Sequence, residues 1–265
     1  MFLNRAYIFL KKVIRYIRYR CKSWCTSFFM DITMRRKRYI LQIEGLRTKF
    51  YLPYVKKDSI QQCIFKNKNY FEFNNLDYIC HQWSNGVVGK AIENNVVLDV
   101  GANIGNHTLY YLNECNAKKV YCFEPVVDTY NILNRNIVIN DLSDRVCLYN
   151  VGIGNKSGKA IISSYNMYNI GGTTIKMSED GDISVVAIDD LDIPGFISMV
   201  KIDVEGFELL ALNGMLKTLE KYKPYLSIEI RNWHKDEAVS LLSDLGYSYV
   251  MLDQDIEYAD YLFYQ

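Results

Sequence analysis

Apolar and polar positions along this chain follow two rhythms, and the change between them divides it. Near the start, Leu3, Tyr7, Leu10, Ile14 and Ile17 share one helical stripe, with Ala6 and Val13 beside it. Arg5, Lys11, Lys12, Arg15, Arg18 and Lys22 fall on the opposite side, so the spacing predicts a basic amphipathic helix. Tyr39–Ile43 and Lys49–Tyr51 read as short strands joined through Gly45, a hairpin able to cover one edge or the mouth of the main domain. The stretch 60–95 is mixed and contains helical segments. From Val96 onward, strand-length apolar runs alternate with helix-period segments. The strands are "VVLDV", "KVYCFE", "RVCLYNVG", "MVKIDV" and "YLSIEI"; the helices are "NHTLYYLNEC", Thr129–Asn140, Phe207–Lys221 and Lys235–Leu245. "YSYVML" and "DYLFY" close the chain as strands. This alternation predicts an α/β fold with a mostly parallel sheet and helices on both faces. Between Gly152 and Pro194 the rhythm breaks into short alternations, "KAIISSY" and "DISVVAI", which predict a β insertion near the open end of the sheet. The chain divides into residues 1–60, a basic helix and hairpin extension, and residues 61–265, the main domain.

Charge sharpens that division. The net charge is only +1, but residues 1–60 hold 15 Lys/Arg against 3 Asp/Glu, and the rest holds 16 against 27. The N-terminal part, residues 1–38 above all, suits an anionic membrane surface; a helix docked on the domain with a solvated basic face is the other reading. Nucleic acid is not expected, because no reading module accompanies the charge. No apolar run reaches the ~18–20 residues a membrane helix needs. Seven scattered cysteines form no Cys-x-x-Cys pair, which argues against a disulfide framework or zinc site and fits a reducing cytoplasm. Peripheral attachment to the inner membrane face is compatible with both features.

The chemistry concentrates at Val96–Leu112, "VVLDVGANIGNHTLYYL". Open α/β sheets bind ligands outside the carboxyl ends of their strands, and this corner sits at such an end. Gly101 permits the tight exit, Gly105 lets the helix start approach a ligand, and Asn106 could cap the helix. Glu124, at the end of "KVYCFE", can accept both hydroxyls of a ribose. A nicotinamide enzyme would show a similar acid, but its corner carries Gly-x-Gly-x-x-Gly so that a pyrophosphate can rest on bare backbone. Here Asn103 replaces the middle Gly and Asp99 precedes the turn. A ligand with an amino-acid end fits better: Asp99 can meet an ammonium group while backbone N–H groups meet a carboxylate. S-adenosylmethionine has that end, a ribose for Glu124, and a sulfonium that favours acidic surroundings.

With "VYCFEP", "NIGGTTI", "VVAIDDL", "VKIDVEGFELLALNG" and "KPYLSIEI" in the same order and approximate spacing, the chain resembles the FkbM-type S-adenosylmethionine-dependent methyltransferases over roughly Val96–Arg231. The resemblance implies a Rossmann-like class I methyltransferase fold, a mostly parallel seven-stranded sheet with a final antiparallel strand, and O-methylation. Its acceptors include sugar hydroxyls of glycans, so a saccharide or another hydroxyl-bearing small molecule is the expected partner. Asp99, Gly101, Asn103 and Gly105 match the cofactor loop, Glu124 the ribose acid, Pro125 the residue that ends its strand, and His107 a common variant of the following helix.

Methyl transfer to oxygen demands alignment and removal of the acceptor's proton. Asp203 and Glu205, in "MVKIDVEGFE", stand where such a base belongs, and His234, after the strand ending in Glu229, is a further candidate base. Arg231 occupies the position nearer that Glu, where the family commonly has His. Lys201 could neutralise an acid on the same face. No Asp/Glu/His trio at convincing spacing is visible, so no metal is expected. "NIGGTT" reads either as a polar loop at the mouth or as a plain hairpin turn. A nicotinamide-dependent oxidoreductase and a non-catalytic cofactor-binding or membrane-associated module remain the competing readings.

Overall fold

A computed structural model describes residues 39–265, so the basic helix expected near the start, and its membrane contact, lie outside the described residues. Among the described residues no helix is long and apolar enough to cross a membrane. The hairpin forms as β1 (Ile40–Gln42) and β2 (Lys49–Tyr51). It lies on a helix rather than on the edge of the main sheet. The amides of Asn136 and Asn140, on α5 (Val127–Ile139) and at its end, bond the hairpin's backbone: Lys49 N–H donates to Asn140 at 2.8 Å, and Asn140 donates back to the Lys49 carbonyl at 2.7 Å. Side-chain amides thus satisfy a strand edge that would otherwise be open.

After α1 (Ser59–Asn67), α2 (Phe73–Asp77) and α3 (Val87–Ile92), the chain enters the main sheet. Its strands are β3 (Val96–Val100), β4 (Lys119–Phe123), β5 (Val146–Tyr149), β10 (Ile197–Ile202), β11 (Tyr225–Arg231), β12 (Ser248–Gln254) and β13 (Tyr258–Tyr264). The seven are ordered β12-β13-β11-β10-β3-β4-β5, and only β13 runs antiparallel, inserted between β11 and β12. This is the mostly parallel seven-stranded sheet with a final antiparallel strand that the family resemblance implies. Every residue of β3 and β10 is buried, which is why these runs are apolar apart from Asp99, Ser198 and Lys201. Side chains alternate between two cores. Val97, Val120 and Met199 pack on one face with Leu109 of α4 (Asn106–Asn113), Leu133 of α5 and the hairpin's Leu41 and Phe50. Leu98, Phe123 and Ile202 pack on the other, beneath α6 (Glu208–Asn213), α7 (Leu216–Tyr222) and α8 (Lys235–Asp244).

Two expected elements are corrected. The helix expected over Phe207–Lys221 is two helices, broken at Gly214, where a side chain would meet the Gly154 carbonyl. The Asp189 carboxylate caps the second piece by accepting from Lys217 N–H and Thr218 N–H, each at 2.9 Å. The strand expected over "RVCLYNVG" also divides. Val146–Tyr149 stays in the main sheet, whereas β6 (Gly152–Ile153) joins a separate four-stranded sheet with β7 (Gly158–Ser164), β8 (Thr174–Met177) and β9 (Ile183–Val186). That sheet is the β insertion expected between Gly152 and Pro194.

Candidate active site

The order of strands reverses between β3 and β10, and a cavity of about 420 Å³ opens at that end of the sheet. Its walls come from the turns that follow β3, β4 and β10 and from the end of β11: Gly101 and Asn103, Glu124 and Pro125, Asp203 and Glu205, Glu229 and Arg231. Of the seven residues expected to hold a cofactor, Gly101, Asn103, Glu124 and Pro125 line this cavity.

Asp99 does not. Parallel pairing sets it directly opposite Lys201 on β10, and both are sealed, at 0 % and 5 % exposure. Thr108 donates to Asp99 Oδ2 at 2.5 Å, and Lys201 Nζ stands 3.8 Å from Oδ1. Burial pushes the Asp99 carboxyl up from its ordinary value, with Lys201 and Thr108 opposing the rise. The expected contact of Asp99 with an ammonium group is therefore corrected: it anchors the strand end and the helix instead. Lys201 also donates to the Gly101 carbonyl at 2.8 Å and to Asp203 at 3.2 Å. Burial alone would lower its pKa, but Asp203 and Asp99 more than offset this, and it stays cationic.

Gly101 has φ +78°, and a β-carbon there would lie 1.8 Å from the Asp203 carbonyl, so the β3 and β10 turns pass in direct contact. Gly105, at φ +87°, is also required, but for packing: its β-carbon would meet Leu133 of α5 at 2.6 Å, and it does not line the cavity. Asn106 is not a cap either. Its amide clamps Phe71, accepting from that residue's N–H at 2.9 Å and donating to its carbonyl at 3.0 Å. This clamp brings Phe71 and Glu72 to the cavity. His107 lies behind Glu72, with Nε2 3.7 Å from its carboxylate and outside the cavity wall. Burial, then the charge of Lys201, pushes its imidazole well below the ordinary value, so it is neutral.

Glu124 is placed as expected. Its two oxygens each accept one backbone N–H, from Asn103 and Val126, both at 2.9 Å. Burial nevertheless raises the carboxyl to about 7, against the lowering by those two bonds. Each oxygen keeps a lone pair for a further donor, as two vicinal hydroxyls would require. Pro125 lines the cavity beside it.

On the opposite wall, Asp203, Glu205 and Glu229 converge, with one carboxylate oxygen of each within 4.8 Å of the others. These three could hold a divalent cation; the sequence sets Glu229 on the neighbouring strand, able to face the pocket, but its approach to within ligand distance of Asp203 and Glu205 comes with the fold. Arg231 is ion-paired to Glu205 and lies 3.4 Å from Glu257. Burial, then Asp203, raises the Glu205 carboxyl to about 7, with Arg231 opposing. Glu229 is raised by burial and then by Asp203 and Glu205. Register also sets Asp260 of β13 against Glu229, and its carboxyl is raised to about 7 by burial and by Asp203. His234 is not brought to this wall. Its Nδ1 lies 2.8 Å from Glu208, whose other oxygen accepts from Gly206 N–H at 2.7 Å, so it braces the turn from behind.

The "NIGG" loop roofs the cavity. A β-carbon at Gly171 would meet the Asn103 amide at 2.5 Å and Ile60 at 2.8 Å, so its glycine reflects close passage rather than a plain turn. Sequence reasoning missed Ser59, Ile60, Glu72 and Asp260. For Asp260 a signal existed, an acid inside the apolar run "YADYLFY"; the segment 59–72 carries none.

Comparison with known proteins gives a coherent result. Residues 99–249 match the family model described as the Methyltransferase FkbM domain. The hexuronic acid methyltransferase AglP of Haloferax volcanii is 33% identical, over 53% of this chain and 58% of its own length. The methyltransferase sdnD of Sordaria araneosa is 22% identical, over 58% of this chain and 74% of its own. Among solved structures, Methyltransferase FkbM from Methylobacillus flagellatus KT superposes with a TM-score of 0.49 at 22% identity, covering 64% of this chain and 43% of that one. The match thus spans little more than half of the Haloferax protein and less than half of the Methylobacillus chain.

Proposed function

The chain belongs to the FkbM methyltransferase family, and from that premise we propose that it transfers a methyl group from S-adenosylmethionine to a hydroxyl of a saccharide or glycan precursor. The observation that carries this reading is one cavity with two unlike walls: Glu124 on the first, and Asp203, Glu205 and Glu229 on the second. Family and fold imply the cofactor, and the residues present fit it: Glu124 keeps lone pairs for a ribose, and Gly101, Asn103 and Pro125 line the cavity with it. When bound, the cofactor supplies an electrophilic methyl on a cationic sulfur. With Asp99 sealed and Asp203 given to the acceptor, Glu72 is the carboxylate of the cavity wall left to meet an ammonium group.

The protein's own contribution is orientation and proton removal. Lys201 holds Asp203 and Arg231 holds Glu205, which fixes two carboxylates for hydrogen bonds to a sugar diol. Glu229 stands beside Asp203 and Glu205 and, in its ionised form, takes the hydroxyl proton as the methyl moves; burial and those two acids raise its carboxyl to about 10, so this form grows as pH rises. The name of the Haloferax relative supports a sugar acceptor. The excess of basic residues before position 60 supports placement at an anionic membrane face; removing residues 1–22 should then reduce binding to anionic vesicles.

Transfer of labelled methyl from S-adenosylmethionine to host glycans tests the reading. Glu229→Gln should lower the rate about 100-fold, the range typical for a lost general base. Full activity in that variant would remove Glu229 from the role, and no transfer by the wild type to any saccharide would sink the proposal.

A further inference from the structure

Taking S-adenosylmethionine as the methyl donor, as the methyltransferase reading requires, we infer that the Thr129 hydroxyl is a binding group for the cofactor's purine base. Among the described residues, three side-chain atoms are buried without a hydrogen-bond partner: Asp99 Oδ1, Thr129 Oγ1 and the Tyr247 hydroxyl. Of the three residues, only Thr129 belongs to the cavity wall, and it is 2 % exposed. A threonine within a helix commonly bonds back to the carbonyl three or four residues earlier. Thr129 makes no such bond in α5. The Val126 carbonyl accepts from Tyr130 N–H at 2.8 Å, and the Pro125 carbonyl accepts from the Asn150 amide at 3.1 Å. A buried hydroxyl left unpaired costs free energy, and a polar group of a ligand in the cavity would recover it.

Position decides which part of the cofactor it meets. Glu124 turns one oxygen to each side: Oε2 accepts from Asn103 N–H on the β3 turn, and Oε1 from Val126 N–H on the approach to α5. A ribose held on these oxygens sends its other two substituents to opposite sides. The one carrying the sulfur must reach the wall of Asp203, Glu205 and Glu229, and the β3 turn touches that wall where Gly101 meets the Asp203 carbonyl. The base is left the other side, where Val126, Thr129, Val151, Gly152 and Ile153 line the cavity.

None of these five side chains is charged. A β-carbon at Gly152 would lie 3.0 Å from Ile175 and 3.9 Å from Pro125, so the walls stand close there. A narrow apolar slot suits the faces of a flat base but leaves its nitrogen-bearing edge in need of a partner. The Asn150 amide nitrogen, just beyond β5, is spent on the Glu124 and Pro125 carbonyls. The Thr129 hydroxyl can donate and accept, so it can pair with a ring nitrogen or an amino group. One strand-to-helix connection, from Glu124 to Thr129, then supplies both the ribose contact and the base contact.

Calorimetric titration of the full chain with S-adenosylhomocysteine, beside urea unfolding of the ligand-free protein, tests this. Thr129→Val keeps the shape and removes the hydroxyl, whereas Thr129→Ser keeps the hydroxyl. We expect the valine variant to bind at least about threefold more weakly, as for one lost hydrogen bond, and the serine variant to bind within about twofold of wild type. The valine variant should unfold at no lower urea concentration than wild type, because it no longer buries an unpaired hydroxyl, so its weaker binding is not a folding defect. Adenosine, which lacks the amino-acid end, should lose affinity by the same factor. The loss should also persist in the Glu124→Ala background, since contacts to separate parts of a ligand add. Wild-type affinity in the valine variant, a serine variant equally weak, or a loss that vanishes with Glu124→Ala would overturn the inference. Failure of the wild-type chain to bind S-adenosylhomocysteine would instead overturn the methyltransferase reading on which it rests.

Discussion

Asp99 and Lys201 show how a single pair can serve a site without touching the ligand. They face each other across adjacent parallel strands at the centre of the sheet, and each would lose its nearest opposite charge on that strand without the other. Asp99→Ala leaves Lys201 with only Asp203 and a carbonyl, and should cost on the order of 3 kcal/mol of stability, measured by urea unfolding. A loss below about 1 kcal/mol would show that the pair is not what holds the β3 and β10 turns together. The same residue marks the limit of what sequence could tell. An acid before a Gly-rich turn was readable as a site residue, but its side-chain direction depends on strand pairing, and pairing with Lys201 turned it inward. Gly105 was likewise legible as an obligatory glycine, while the neighbour that requires it, Leu133, came only with the packing of α5.

At the scale of elements, the parts that complete the cavity come from outside the stretch that matches the family. Asp58 is 2 % exposed and divides its carboxylate between two elements: Oδ2 accepts from Gln61 N–H in α1, and Oδ1 from Ile170 N–H in the roof loop, each at 2.9 Å. Ser59 N–H donates to the Tyr168 carbonyl at 2.9 Å beside it. Asp58→Ala should release that loop, so Ile170 N–H should exchange with solvent at least tenfold faster by hydrogen exchange. Helix α1 should also lose about 1 kcal/mol of capping. Unchanged protection at Ile170 would mean that the loop is held by its own turn. The strands and helices from Val96 onward were legible because buried strands and helix periodicity are local patterns. Residues 59–72 were not, because their role is set by Asn106 clamping Phe71 and by Asp58 bridging to Ile170, contacts 35 and 112 residues apart in sequence.

The whole molecule gathers acids at one end of its sheet, and that has a consequence for stability. Glu124, Glu205 and Asp260 have folded-state values of about 7, above their ordinary values of 4.5, 4.5 and 3.8. A raised carboxyl binds its proton more tightly in the folded state. Its stabilising contribution is therefore complete below the ordinary value and is lost as pH rises through about 7. Between about pH 5 and 8 the ligand-free protein should lose stability from these groups, and Asp260→Asn, which cannot ionise, should flatten the slope. A variant with the wild-type slope would show that Asp260 does not titrate in this range. The overall architecture follows from the alternation of strands and helices. The convergence of acids does not: Asp203 meets Glu229 because β10 and β11 pair in parallel, and Asp260 is set opposite Glu229 because β13 enters antiparallel between β11 and β12.

The proposed activity depends on Glu124 meeting a ribose across the cavity, and calorimetric titration with S-adenosylhomocysteine reads that contact directly. The wild-type chain should bind the nucleotide, and Glu124→Ala should bind it at least tenfold more weakly, about 1.4 kcal/mol of lost affinity. Equal affinity in the two proteins, or no binding by the wild type, would contradict the assignment.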